Sequence, residues 1–137
     1  MLLEEILGLV DTDIEASAGT RDPDIDISGS WINELRSTME IKLDKKTQNF
    51  HGIYCSSVGT DGRAHKGTIT GHLLGDLIVF MVKWHSAAIT AWVGQVPKRS
   101  INEEHKITTL WMMTSKSNGW NPINAGADTF VRNNHKN

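Results

Sequence analysis

The chain has 137 residues and a hydrophobic fraction of 39%, enough for one buried core and too little for two. A net charge of −2 and a pI near 6.3 leave no global electrostatic footprint for nucleic acid or an anionic membrane. The single cysteine, Cys55, excludes an intrachain disulfide and a cysteine-built zinc site, and no apolar run is long enough to span a bilayer as a helix.

The charge is unevenly placed. Residues 1–27 hold eight acids against one base, Arg21, whereas the remainder holds thirteen bases and eight acids, a net of +5. Leu2, Leu3, Ile6, Leu7, Leu9 and Val10 stand at near-helical spacing, which predicts a short amphipathic helix over 2–10. The opening MLLEEILGLV lacks a basic leading region and is interrupted by Glu4 and Glu5, so it does not read as a secretory signal. Asp11 to Asp26 is polar, contains Gly19 and Pro23, and reads as a linker. The expected organisation is an acidic extension over 1–27, one domain over 28–132 and a tail over 133–137.

From Gly29 the period changes to two. Trp31, Asn33, Leu35 and Ser37 share one face. Met39, Ile41 and Leu43 alternate with Glu40, Lys42 and Asp44. Phe50, Gly52, Tyr54 and Ser56 form one face of the next run, and Leu77–Val82 is an apolar, β-branched run. Ala88, Thr90, Trp92, Gly94 and Val96 then oppose Ala87, Ile89, Ala91, Val93 and Gln95. Ile107, Thr109, Trp111, Met113 and Ser115 alternate with Thr108, Leu110, Met112 and Thr114. Turn signals fall at Asp44–Asn49, Val58–Gly62, Gly71–Asp76, Pro97–Glu104 and Ser115–Asn124. About eight short, evenly spaced strands with hairpin connections predict an all-β protein: an eight-stranded antiparallel up-and-down β-barrel with an N-terminal extension. Closure of eight strands leaves an interior that side chains fill or that holds one small ligand.

The faces taken as inward carry Asn33, Ser37, Tyr54, Ser56, Thr90, Trp92 and Trp111. Each buried hydroxyl or amide without a partner costs about 1–3 kcal/mol, so an interior with several of them calls for water or a ligand with matching polar atoms. The five tryptophans of the chain supply rigid apolar walls for such a cavity. Trp31 is expected in the core and not in the pocket, and Cys55, next to Tyr54, should face away from the interior. His51, His65, His72, His85, His105 and His135 show no metal-ligand spacing, so no metal site is expected.

At these residues the sequence resembles the avidin–streptavidin family. Gly29-Ser30-Trp31-Ile32-Asn33 through Ser37 is similar to the family's G-[ST]-W-x-N-x-x-x-S. Gly52-Ile53-Tyr54-Cys55-Ser56-Ser57-Val58-Gly59 is similar to G-x-Y-x-S-x-V-G, and Thr90-Ala91-Trp92-Val93-Gly94-Gln95 to T-x-[WF]-x-G-Q. Trp111 to Ser115, Trp120 and Asp128-Thr129-Phe130 are similar to the closing W-x-L-x-S…W…D-T-F. The matches run in order across 29–132. The resemblance implies a noncatalytic biotin binder with no cofactor. It implies that Asn33, Ser37 and Tyr54 donate to the ureido oxygen, that Ser56 and Asp128 accept from the ureido N–H groups, and that Thr90 meets the ring sulfur. Trp84, Trp92, Trp111 and Met113 would be walls, with Leu35 on the same inner face as Asn33. Val58 and Thr60 belong to a loop closing over the pocket, and Ser86 or Ala88 stands where a hydroxyl meets the biotin carboxylate. Trp120 would cap a neighbouring subunit's ligand, and a homotetramer is implied. The family is secreted, which leaves the compartment open beside the signal-free opening; no nucleic-acid or membrane partner is implied.

Two other classes stay in view. A lipocalin-like barrel for another small apolar ligand fits the strand count but not the hydroxyl-rich face. His85, Ser86 and Asp128 are the residue types of a hydrolase triad, but there is no nucleophile elbow, and such roles require geometry.

Overall fold

In the computed structural model, residues 2–16, 25–57, 63–85, 87–97, 105–117 and 123–134 are described. A helix, α1 (Leu3–Ala16), precedes eight strands: β1 (Gly29–Asn33), β2 (Thr38–Leu43), β3 (Asn49–Cys55), β4 (Lys66–Leu74), β5 (Leu77–Trp84), β6 (Ala88–Gln95), β7 (Lys106–Ser115) and β8 (Asn124–Arg132). Each strand pairs antiparallel with the next, and β8 pairs with β1, closing the barrel. Closure leaves no sheet edge to template pairing with another chain.

Alternation dictates what the barrel contains. Met39, Ile41 and Leu43 of β2 are buried while Glu40 and Lys42 are exposed. The inward residues of β5, namely Ile78, Phe80 and Val82, are buried, and Leu77, Val79 and Met81 are exposed. The floor of the barrel is apolar: Phe50, Phe80, Leu73, Val96, Ile107 and Phe130 are almost entirely buried. Trp31 belongs to this core, as expected. It is fully buried and its indole N–H donates to the Ile27 carbonyl at 2.9 Å. Ile27, placed by the sequence reading in the leader, is itself part of the core, with Ile25 packed against it.

Two expectations are corrected. The helix expected over 2–10 runs on to Ala16, because Asp11–Ala16 carries neither proline nor glycine to stop it. The turn expected over Gly71–Asp76 is confined to Gly75 and Asp76, and Gly71 lies inside β4. Its glycine serves close approach and not reversal: a Cβ there would stand 2.2 Å from Cζ of the buried Phe50. Gly75, with φ +61, is the residue that turns the chain.

Candidate functional site

Above the apolar floor the inward face becomes polar. Asn33 at the end of β1, Ser37 just before β2, Tyr54 on β3, Thr90 and Trp92 on β6, and Asp128 on β8 are all buried. A tight turn follows β1. Asn33 donates its amide N–H to the Ser37 carbonyl at 3.0 Å, and Arg36 adopts a left-handed φ of 67. Within it the Asn33 side-chain oxygen accepts the backbone N–H groups of Ser37 at 2.9 Å and Leu35 at 3.1 Å. That oxygen is thereby occupied, so the Nδ2 end is the one aimed into the barrel, where it donates to the Tyr54 hydroxyl at 3.3 Å.

Tyr54 itself is held by rings. It stacks on Trp92 with centroids 5.0 Å apart and meets Trp84 and Phe130 edge-on. Phe80 lies beneath Trp92, nearly parallel, at 4.8 Å. Burial raises the Tyr54 phenol well above its ordinary value, and the Asp128 carboxylate adds to the rise, so the hydroxyl keeps its proton as a donor. Ser37 Oγ accepts the Ser57 amide at 2.9 Å and lies 3.4 Å from the Ser57 hydroxyl. Ser56, half-buried, clasps His65 across the start of β4: its amide donates to the His65 carbonyl at 2.7 Å and its hydroxyl accepts the His65 amide at 3.0 Å.

Beside these donors, on the paired strand β8, stands an acceptor. Asp128 takes the Trp92 indole N–H at 2.9 Å, and its backbone carbonyl takes the Thr109 hydroxyl at 2.9 Å. Burial raises its carboxyl above the ordinary carboxylate range. The Trp92 hydrogen bond opposes the shift, the nearby Glu34 adds to it, and the Asn33 amide opposes it. Thr90 accepts the Trp84 indole N–H at 2.8 Å, so the hydroxyl and the ring are fixed as one unit. Trp111 and Met113 are half-buried on the inward face of β7. Trp111 lies directly over Gly126, where a Cβ would stand 2.6 Å from the indole. Ala88 is half-buried at the rim, beside a cavity of about 350 Å³ also lined by Lys83, His85 and Lys116. That cavity contains none of the polar cluster, which lies deeper in the barrel.

The structure therefore brings Asn33, Ser37, Tyr54, Trp84, Thr90, Trp92 and Asp128 together, with Ser56, Trp111, Met113 and Ala88 around them. Leu35 is a correction: it is 72% exposed, because β1 ends at Asn33 and the turn breaks the alternation that the sequence reading carried through it. Val58, Thr60, Ser86 and Trp120 lie outside the described residues. The sequence reading missed Phe80 and Phe130 as supports of the ring stack, since an unbroken apolar run such as Leu77–Val82 hides which residues face in. It also missed Glu34, whose carboxylate accepts the Thr129 amide at 2.7 Å, and Ser57; neither carries a periodic signal. No group of three or more metal-ligating side chains occurs among the described residues.

A family model described as Avidin family matches residues 22–133. Among solved structures, the rhizavidin–biotin complex is 29% identical, covering 76% of this chain and 97% of that one with a TM-score of 0.65. Xenavidin is 27% identical, covering 80% and 99% with a TM-score of 0.68. The biotin binding protein from chicken, 22% identical over 78% and 97% with a TM-score of 0.64, shares the fold. No curated protein matches the chain in sequence.

Proposed function

The chain belongs to the avidin family, and from that premise we propose that it binds biotin inside the barrel and releases it chemically unchanged. The observation that carries this reading is the polarity of the buried cluster. The Asn33 amide is locked as a donor beside the Tyr54 hydroxyl, and the carboxylate of Asp128 stands next to it on the paired strand β8. A cyclic urea has the complementary pattern, one strong acceptor flanked by two donors. Asn33, Ser37 and Tyr54 are assigned to the ureido oxygen, Ser56 and Asp128 to the N–H groups, and Thr90 to the ring sulfur. Trp84, Trp92, Trp111 and Met113 are assigned to the walls. In a dry, indole-lined interior these bonds are stronger than in water and polarise one another, and a rigid barrel leaves little ordering to be done on binding. The carboxylate tail is assigned to Ala88 and, on the sequence alone, to Ser86, Val58 and Thr60. A homotetramer in which Trp120 caps a neighbour's ligand completes the proposal.

Support for biotin over another small ligand comes from the relative at 29% identity, which was solved as a complex with biotin. Titration with biotin, followed by tryptophan fluorescence and melting temperature, tests the reading. Quenching or enhancement that saturates, together with a raised melting temperature, is expected. No response in either signal at excess biotin rejects it. Mass spectrometry of the eluted ligand should return intact biotin, and native mass spectrometry reads the subunit number.

A further inference from the structure

The backbone ladder that closes the barrel stops one rung short of Asp128. The last pair joining β1 to β8 is Asn33–Phe130, and the same register continued by one residue sets Glu34 against Thr129. Along a strand, backbone amides point to alternate sides. Asn133, just past β8, donates its amide to the Ser30 carbonyl at 2.9 Å, so the amides two and four residues earlier, those of Val131 and Thr129, face β1 as well. Thr129 would find its acceptor in the Glu34 carbonyl if β1 ran on. It does not: β1 ends at Asn33, whose amide turns to the Ser37 carbonyl. The Glu34 side chain supplies the acceptor instead, and its carboxylate takes the Thr129 amide at 2.7 Å. The final rung of the seam is therefore made by a side chain.

That rung lies at the site. Glu34 follows Asn33, and Thr129 follows Asp128. The Asn33 amide acts on the Asp128 carboxyl across the seam, so fraying of the seam beyond Phe130 would part the two. A hydrogen bond to an ionised acceptor is about twice as strong as a neutral one, which suits it to hold a ladder end. The Glu34 carboxylate has a second effect. Its charge favours the protonated forms of Asp128 and of Tyr54 on β3. The Trp92 indole from β6, the Thr109 hydroxyl from β7 and the Asn33 amide, which also meet Asp128, do not titrate. Glu34 is exposed while Asp128 is buried, so a substitution at 34 reaches the site without opening the core.

We propose that Glu34 is a positioning residue of the pocket, which completes the barrel seam with a side-chain rung and so holds Asp128 beside Asn33. It touches no ligand and acts through Asp128; its effect on binding rests on the reading of the pocket as a biotin site, and its effect on the free barrel does not. Two variants of the full chain test it. Glu34→Ala removes acceptor and charge, whereas Glu34→Gln keeps an acceptor oxygen and removes the charge alone. In the free protein, the Thr129 amide should exchange about tenfold faster in Glu34→Ala than in the parent, with Glu34→Gln close to the parent. The Asp128 carboxyl, followed by carbon-13 resonance, should titrate at lower pH in both variants. Biotin should leave Glu34→Ala about tenfold faster, a loss of about 1.4 kcal/mol. Glu34→Gln should recover most of that loss at neutral pH and hold biotin to lower pH than the parent does. Equal Thr129 exchange in all three proteins, or an Asp128 titration that stays in place, overturns the proposal. Altered exchange with unaltered biotin dissociation overturns it too, and leaves Glu34 a strand cap. If the parent chain binds no biotin, the binding reading falls, and exchange and titration in the free barrel still decide whether Glu34 holds Asp128.

Discussion

Asn33 and Asp128 are neighbours on the paired strands β1 and β8 with opposite assignments, and both are fixed by bonds that do not involve a ligand. The two backbone amides on the Asn33 oxygen decide which end of the side chain points inward. The Trp92 indole decides where the Asp128 carboxylate sits. Asp128→Ala removes a charge-assisted acceptor worth about 2 kcal/mol and is expected to weaken biotin binding by roughly thirtyfold. Asn33→Ala should weaken it in the same direction. Calorimetric titration measures both effects, and a cooperative thermal transition with parent-like far-ultraviolet circular dichroism confirms that the barrel persists, with Asn33→Ala melting lower because the Leu35 and Ser37 amides lose their acceptor. Parent-like retention of biotin by both variants refutes the pocket assignment.

The raised carboxyl of Asp128 also sets a pH dependence. It keeps its proton to higher pH in the folded barrel than in the unfolded chain. This residue's contribution to stability is therefore most favourable below the ordinary carboxylate value, and it falls as the pH rises through the folded-state value. A ureido N–H needs the ionised acceptor, so binding should release a proton within that same window and affinity should drop as the solution is acidified through it. Calorimetry in two buffers of different ionisation enthalpy reads the released proton directly. Identical heats in both buffers across the window reject the coupling.

Strands reveal themselves when one face is polar. In β2, Glu40 and Lys42 alternate with Met39 and Ile41, and the inward set was legible without coordinates. The same held for β6 and β7, where the tryptophans lie on the predicted faces. In β5 both faces are apolar, so the sequence marks a strand without marking Phe80 as inward. In β4 glycine misleads in the other direction. Glycine at 71 is a turn former by propensity, but here it makes room for the Phe50 ring against its backbone, a long-range demand invisible locally. The ring of Phe50 is buried on every side, so Gly71→Ala is expected to cost about 1–3 kcal/mol as overpacking. Chemical denaturation measures it. Because Phe50 lies in the floor, biotin affinity should change much less than stability.

At the scale of the whole molecule, order along the chain and adjacency in space coincide everywhere except at one seam. Seven pairings join consecutive strands, and the eighth joins β8 to β1 through three residue pairs, Trp31–Arg132, Ile32–Val131 and Asn33–Phe130. Hairpin order was legible from short, evenly spaced runs. What was not legible was how the ends meet: Arg132 over the Trp31 ring at 4.3 Å depends on closure itself. A ligand bound only by the closed barrel stabilises it by mass action, about 1.4 kcal/mol for each tenfold excess over the dissociation constant. The melting temperature should therefore keep rising with biotin concentration well past stoichiometric saturation, which a concentration series of thermal scans will show. A plateau at one equivalent would contradict a ligand that binds only the native state.

The seam also joins the two halves of the polar cluster, with Asn33 on the first strand and Asp128 on the last. During synthesis the amide therefore leaves the ribosome some ninety-five residues before the acid. Until the final hairpin has emerged, the growing polypeptide holds a donor set with no counterpart, however well its earlier strands have paired. A ligand that needs both halves therefore finds no complete cradle until the chain is finished, and under the proposed function biotin would latch a finished barrel and not mould a forming one.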